Sequence, residues 1–267
     1  MVKVTRPLRG PRGCLEVEGE ELYFETHGAG PPLVLCHGLG GNHAIWYQQV
    51  AYFSRLYRVI TWDQRGFGRS TNSAGQTGPA AAVRDLRTLM DALDIPEAHL
   101  VGQSMGGWAV LGYALEQVGR VRSLVLAGSI GGIYTPQIRA WYEAFRPRPS
   151  DRIGFHDAVS PTLSETDLAK AFLYEQIGDT PTSLQTHMRS LLRCTEQNRD
   201  AIARLAAPTL LVVGSEDPIF PPPVIHEAAS LLPNARVVEI DGAGHSPYFE
   251  RPNAFNGVVE SFLEENV

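Results

Sequence analysis

The 267 residues are 43% apolar and 19% charged, a composition that excludes long disorder and coiled coil and suits one large α/β domain with a buried core. A net charge of -6 gives no positive footprint for a phosphate backbone, so nucleic acid is not an expected partner. The opening MVKVTRPLRGPRG has no apolar run of signal-peptide length, and nowhere do about 18 uncharged apolar residues follow one another, so no membrane contact is expected.

In chain order, residues 1–14 read as a solvated tail carrying Lys3, Arg6, Arg9 and Arg12, and Leu15 to His27 as a hairpin. Short runs at Leu33–Leu35, Val59–Ile60, Leu100–Val101, Leu124–Leu126, Leu210–Val213 and Val237–Ile240 predict strands buried on both faces. Between them, three sets repeat at helical spacing: Trp46, Val50, Phe53 and Tyr57; Val83, Leu86, Met90 and Leu93; Val110, Leu111, Ala114 and Val118. This βαβα alternation predicts a mainly parallel sheet with helices on both faces, and it puts functional sites at strand C-termini. Over 131–205 the strand-like runs vanish, helical stretches such as Leu184, Met188, Leu191 and Leu192 appear, and aromatics are frequent. An inserted helical cap is expected there, cut into short helices by Pro147, Pro149, Pro161 and Pro181, with the core at 15–130 and 206–267. Cys14, Cys36 and Cys194 are odd in number and widely spaced, which suggests reduced thiols in a cytoplasmic protein. Cys36 reads as a buried core thiol.

The segment His99 to Leu115 is an apolar strand, then Gly-Gln-Ser-Met-Gly, then a helix. Its middle reads as a nucleophile elbow around Ser104, where a strained strand-to-helix turn requires that Gly102 and Gly106 lack bulk. The bare pattern arises by chance in about one chain in seven at this glycine content, so its context carries the weight. A serine hydroxyl needs a base. His245 stands out, in a loop freed by two glycines between a strand and a final helix, whereas His27, His43, His99, His156, His187 and His226 have no comparable context. The base in turn needs a carboxylate on its other nitrogen. Asp217 directly follows a buried strand, while Glu216 is its neighbour and Asp241 would have to fold back sharply from the same loop. Ser104, Asp217 and His245 thus take the roles of nucleophile, acid and base. The backbone N–H groups of Leu39, in the glycine-rich turn after His37, and of Met105 are the expected oxyanion donors. The GLGG turn lacks the spacing of a phosphate loop. His37 and His43 lack an acidic third ligand for a metal.

The stretches HGLGG, WDQRGFGRS, VGQSMGG, GSEDPIFPP and GAGHSPYFERP occur in one order from about Leu15 to the end, and with them the chain resembles the α/β-hydrolase fold superfamily, in its capped serine-hydrolase members. The resemblance implies a mostly parallel eight-stranded sheet, the triad named above, structural roles for Asp63 and Arg65, and no metal or organic cofactor. Ser104 argues against the haloalkane dehalogenases and epoxide hydrolases, which place aspartate there. The meta-cleavage-product hydrolases usually carry tryptophan where Ser246 stands, and the menaquinone-pathway synthase arginine where Trp108 stands. Enol-lactone hydrolases, esterases and cofactor-free haloperoxidases are comparably similar. The expected function is hydrolysis of a small, largely apolar carboxylic ester or lactone. The alternatives are C–C cleavage, lyase or synthase chemistry on the same triad, and a non-enzymatic ligand sensor. Trp108, Trp141 and Ile219 are the expected substrate contacts, with Tyr142, Phe145 and Phe155 as further lining. A small-molecule substrate is the only expected partner; the oligomeric state stays open.

Overall fold

Successive side chains of a strand point to opposite faces, and the central strands bury both. Leu33 and Leu35 pack with Val59, Val101, Val125, Leu210 and Val212 on one face. Val34 and Cys36 pack with Ile60, Leu100, Leu124 and Leu211 on the other. A sheet apolar on both sides needs helices on both, and the computed structural model, which describes residues 4–6, 12–146, 157–178 and 180–266, has them.

The strands are β1 (Val4–Arg6), β2 (Arg12–Val17), β3 (Glu20–His27), β4 (Pro32–Cys36), β5 (Arg58–Trp62), β6 (Ala98–Gln103), β7 (Val121–Ala127), β8 (Thr209–Gly214) and β9 (Ala235–Ile240). Their order across the sheet is β1-β2-β3-β5-β4-β6-β7-β8-β9. The pairs from β5 to β9 are parallel, and β1, β2 and β3 add antiparallel strands at one edge. The eight expected strands are β2 to β9. The tail expectation needs correction, because Val4–Arg6 forms a ninth strand opposite Leu15 and Cys14, and β2 begins at Arg12, whose guanidinium pairs with Glu25 at 3.1 Å. Lys3 and Arg9 lie outside the described residues. Val237 and Val238 are only half-buried, because β9 has a strand on one side alone.

On the core's faces lie α1 (Tyr47–Phe53), α2 (Pro79–Ala92), α3 (Met105–Glu116), and, after the insertion, α9 (Pro222–Ala229), α10 (Pro247–Glu250) and α11 (Pro252–Glu264). Val118 does not join α3: the helix ends at Glu116, and the valine is 85% exposed. Between β7 and β8 the described residues form only helices: α4 (Pro136–Ala144), α5 (Pro161–Thr166), α6 (Leu168–Ile177), α7 (Thr182–Cys194) and α8 (Arg199–Ala203). Prolines there start helices rather than end them; Pro136 and Pro161 occupy first turns, where a missing N–H costs nothing. Pro147, Pro149, Phe155 and His156 lie outside the described residues. Cys36 is a buried thiol that accepts from Trp62 Nε1 at 3.1 Å, and burial pushes it up to about 12. No described helix is long and apolar enough to cross a membrane.

Candidate active site

From β4 the chain passes through α1 to β5 on one side, then through α2 to β6 on the other. Where strand order reverses in this way, a crevice opens beyond the strand C-termini. Residues 37–39 and Ser104 stand there.

Ser104 alone makes the turn from β6 into α3, at φ 47° and ψ -114°, a combination outside even the left-handed helical basin. Three hydrogen bonds hold it. Its N–H donates to Ala127 O at 2.9 Å, and its carbonyl accepts from Gly107 N at 2.9 Å and from Ser129 Oγ at 2.6 Å. The steric demand on the flanking glycines is explicit. A Cβ at Gly106 would sit 2.3 Å from Cys36 O, and one at Gly102 2.5 Å from Gly106 O.

His245 lies between β9 and α10 and is 2% exposed. Its Nδ1 is 2.8 Å from Asp217 Oδ2. A carboxylate only accepts, so Nδ1 carries the proton and Nε2 keeps its lone pair. Asp217 is itself fixed, since Oδ1 accepts from Ile219 N at 2.8 Å and Phe220 N at 3.0 Å. Glu216 and Asp241 are exposed and take no part. The histidine loop is tied down by Glu250, buried in α10. Oε1 accepts from Gly244 N at 3.0 Å and Ser246 N at 3.3 Å, and Oε2 accepts from Ser160 N of the insertion at 2.8 Å. Burial raises the Glu250 carboxyl despite these donors. Gln103 Nε2 also reaches His245 O, at 3.4 Å.

Ser104 and His245 border one pocket of about 60 Å³, together with Leu39, Trp108, Tyr142, Phe145, Ile219, Phe220 and, from α7, Arg189 and Arg193. Ser104 Oγ has no hydrogen-bond partner among the described residues, and catalytic hydrogen bonds of this kind often tighten only with substrate bound. Met105 is the first residue of α3, so its N–H has no intrahelical acceptor. The Leu39 N–H likewise donates to no carbonyl among the described residues. Trp108 is buried, with Nε1 donating to Thr195 O at 3.1 Å. Trp141 is a correction: it is 44% exposed, stands outside the lining, and donates Nε1 to Ile219 O at 3.0 Å. On α4 the buried side chains are Ile138 and Tyr142, four residues apart, and Trp141 lies at the edge of that face, about 100° round the helix from Tyr142.

The other singled-out residues have structural partners. His37 Nε2 accepts from Gln64 N at 3.0 Å and Nδ1 donates to Gly38 O at 2.8 Å, and burial lowers its pKa. Asp63 accepts from His43 N at 2.6 Å and Arg69 N at 2.8 Å, and Arg65 forks onto Asp85. Sequence reading missed Glu250, Arg189 and Arg193. The spacing of four between the arginines, on a helix whose Met188 and Leu192 face inward, was a usable signal; nothing local marked Glu250.

The sequence model of the alpha/beta hydrolase family matches residues 33–258. The chain belongs to that family. This alpha/beta hydrolase is 30% identical over 255 residues to the Mycobacterium tuberculosis protein BpoC, which carries the name of a non-heme bromoperoxidase, and covers 91% of this chain and 97% of that one. It is 27% identical over 261 residues to the 3-oxoadipate enol-lactonase 1 of Acinetobacter baylyi, covering 92% and 94%. Among solved structures, a thermophilic esterase from Thermogutta terrifontis superposes with a TM-score of 0.80 at 25% identity, covering 96% of this chain and 99% of the esterase.

Proposed function

We propose that this alpha/beta hydrolase cleaves small carboxylic esters or lactones through an acyl-enzyme on Ser104. The observation that carries the reading is one pocket bordered by a serine on a strained turn and by a histidine whose Nδ1 is held by a buried aspartate. His245 Nε2, the free acceptor, takes the Ser104 proton as Oγ attacks the carbonyl carbon. The oxyanion that forms is stabilised by the Leu39 and Met105 N–H groups. Collapse expels the alcohol, which receives the proton from the imidazolium, and water then enters by the same route in reverse to release the acid. Asp217 holds the tautomer and balances the imidazolium charge. The names of the similar enol-lactonase and esterase support the ester and lactone classes.

Steady-state hydrolysis of p-nitrophenyl acetate and butyrate tests the reading, together with mass spectrometry of the protein after a phosphonate inhibitor. Sustained turnover lost in Ser104→Ala, with the phosphonate on Ser104, is expected. A burst without turnover would overturn it in favour of C–C cleavage or ligand sensing.

A further inference from the structure

We propose that Arg189 and Arg193 form an anion site at the insertion side of the pocket, so that the substrate is an ester or lactone carrying a carboxylate. The substrate class rests on the acyl-transfer reading; the anion site itself does not.

The two arginines stand four residues apart on α7, hence side by side on one helix face, and both border the pocket that holds Ser104 and His245. Among the described residues neither has a carboxylate within ion-pair distance, whereas Arg65, Arg120, Arg122, Arg139 and Arg236 each do. Among the described residues Arg193 donates through Nη2 alone, to Phe145 O at 3.3 Å, and it lies 5.1 Å from the Tyr142 ring centroid. Its Nε is buried without an acceptor. Arg189 makes no hydrogen bond among the described residues; burial and its neighbour Arg193 lower its pKa, while Asp157 and Tyr142 oppose this.

Among the described residues no carboxylate pairs with either partly buried guanidinium at contact distance, although Asp157 acts on Arg189, and two like charges one helical turn apart are unfavourable. An entering carboxylate relieves both, because the guanidinium fork matches its geometry. The arginines come from the insertion, while Ser104 and His245 come from the core. Trp108, Ile219 and Phe220 share the lining. A substrate that carries both a reacting carbonyl and a carboxylate would meet Ser104 and the arginines as lining of the same pocket. This refines the expectation of a largely apolar substrate.

The test compares p-nitrophenyl valerate with p-nitrophenyl hydrogen glutarate, which carries a carboxylate in place of the terminal methyl, on the intact protein and on Arg189→Gln and Arg193→Gln. Calorimetric titration with pentanoate and pentanamide gives a second readout independent of turnover. The hemiester is expected to have a kcat/KM about tenfold or more above the valerate, and each substitution to reduce that preference by about 10-fold. Pentanoate is expected to bind saturably, pentanamide not, and the substitutions to abolish pentanoate binding. Equal rates on the two esters, or pentanoate binding that survives both substitutions and so belongs to the oxyanion amides, would overturn the anion site and leave the ester reading standing. Arginine-dependent pentanoate binding without turnover of either ester would do the reverse.

Discussion

Ser104→Gly is expected to stabilise the protein while abolishing its activity. At φ 47° and ψ -114° the serine occupies a region from which a Cβ is sterically repelled, at a cost of about 1–3 kcal/mol. Glycine reaches the same conformation without that repulsion, and loses about 0.4–1 kcal/mol through its freer unfolded chain. The hydroxyl has no partner among the described residues, so its removal contributes little by itself, and Ser104→Ala keeps the strain. The glycine variant should therefore exceed the alanine variant by about 1 kcal/mol, a rise in Tm of about 2–4 °C at this chain length. Scanning calorimetry of the wild type and both variants measures it, with p-nitrophenyl butyrate confirming that both are inactive. A glycine variant that melts at or below the alanine variant would refute the strain argument.

Asp217→Asn should lower turnover by about 10³- to 10⁴-fold by disturbing the His245 tautomer, while Asp241→Asn stays within about twofold of wild type; comparable losses would mean that the wrong carboxylate was chosen. Gly128 has φ +52° and a Cβ there would meet His245 O at 2.8 Å and Nδ1 at 3.1 Å, so Gly128→Ala should cost kcat/KM about tenfold or more by shifting the imidazole, and normal kinetics would contradict the close approach. His99 is buried with Nδ1 2.8 Å from Ser123 Oγ, and desolvation, with Arg122 adding to it, lowers its pKa to about 4. The native state therefore favours the neutral ring: the stability it confers is complete above about 6.5 and is lost as pH falls through 4, reaching a deficit of about 3 kcal/mol at pH 4. Urea unfolding at pH 7 and pH 4 should show a larger drop in wild type than in His99→Gln, and parallel drops would remove the buried histidine as the cause.

The elbow was legible because its constraints are local: a turn that rejects side chains leaves glycine two residues either side of Ser104, on a short stretch between strand and helix. Asp217 could be preferred to Asp241 from chain order alone, since one directly follows a strand and the other would have to fold back sharply from the histidine's own loop. The continuous apolar runs of the central strands were equally plain, and the burial they imply faded in Val237 and Val238, where edge position and not residue type decides burial. A three-residue strand such as Val4–Arg6 is too short to show a period. Trp141 misled because aromatic content says nothing about helix phase; Ile138 and Tyr142 define the inward face. The bonds of Glu250 and the surroundings of the Arg193 guanidinium depend on segments far apart in the chain meeting, and no local pattern encodes that.

One carboxylate, that of Glu250, grips the loop carrying the imidazole and the start of α5 at once. The helical insertion and the histidine loop are thus fastened at a common point. Grafting α7 from another member of the family would change the residues that border the pocket, whereas a graft that displaced residue 160 would take one of three amides from Glu250 and loosen the carboxylate that holds the histidine loop. Junctions for such chimaeras belong after Thr166.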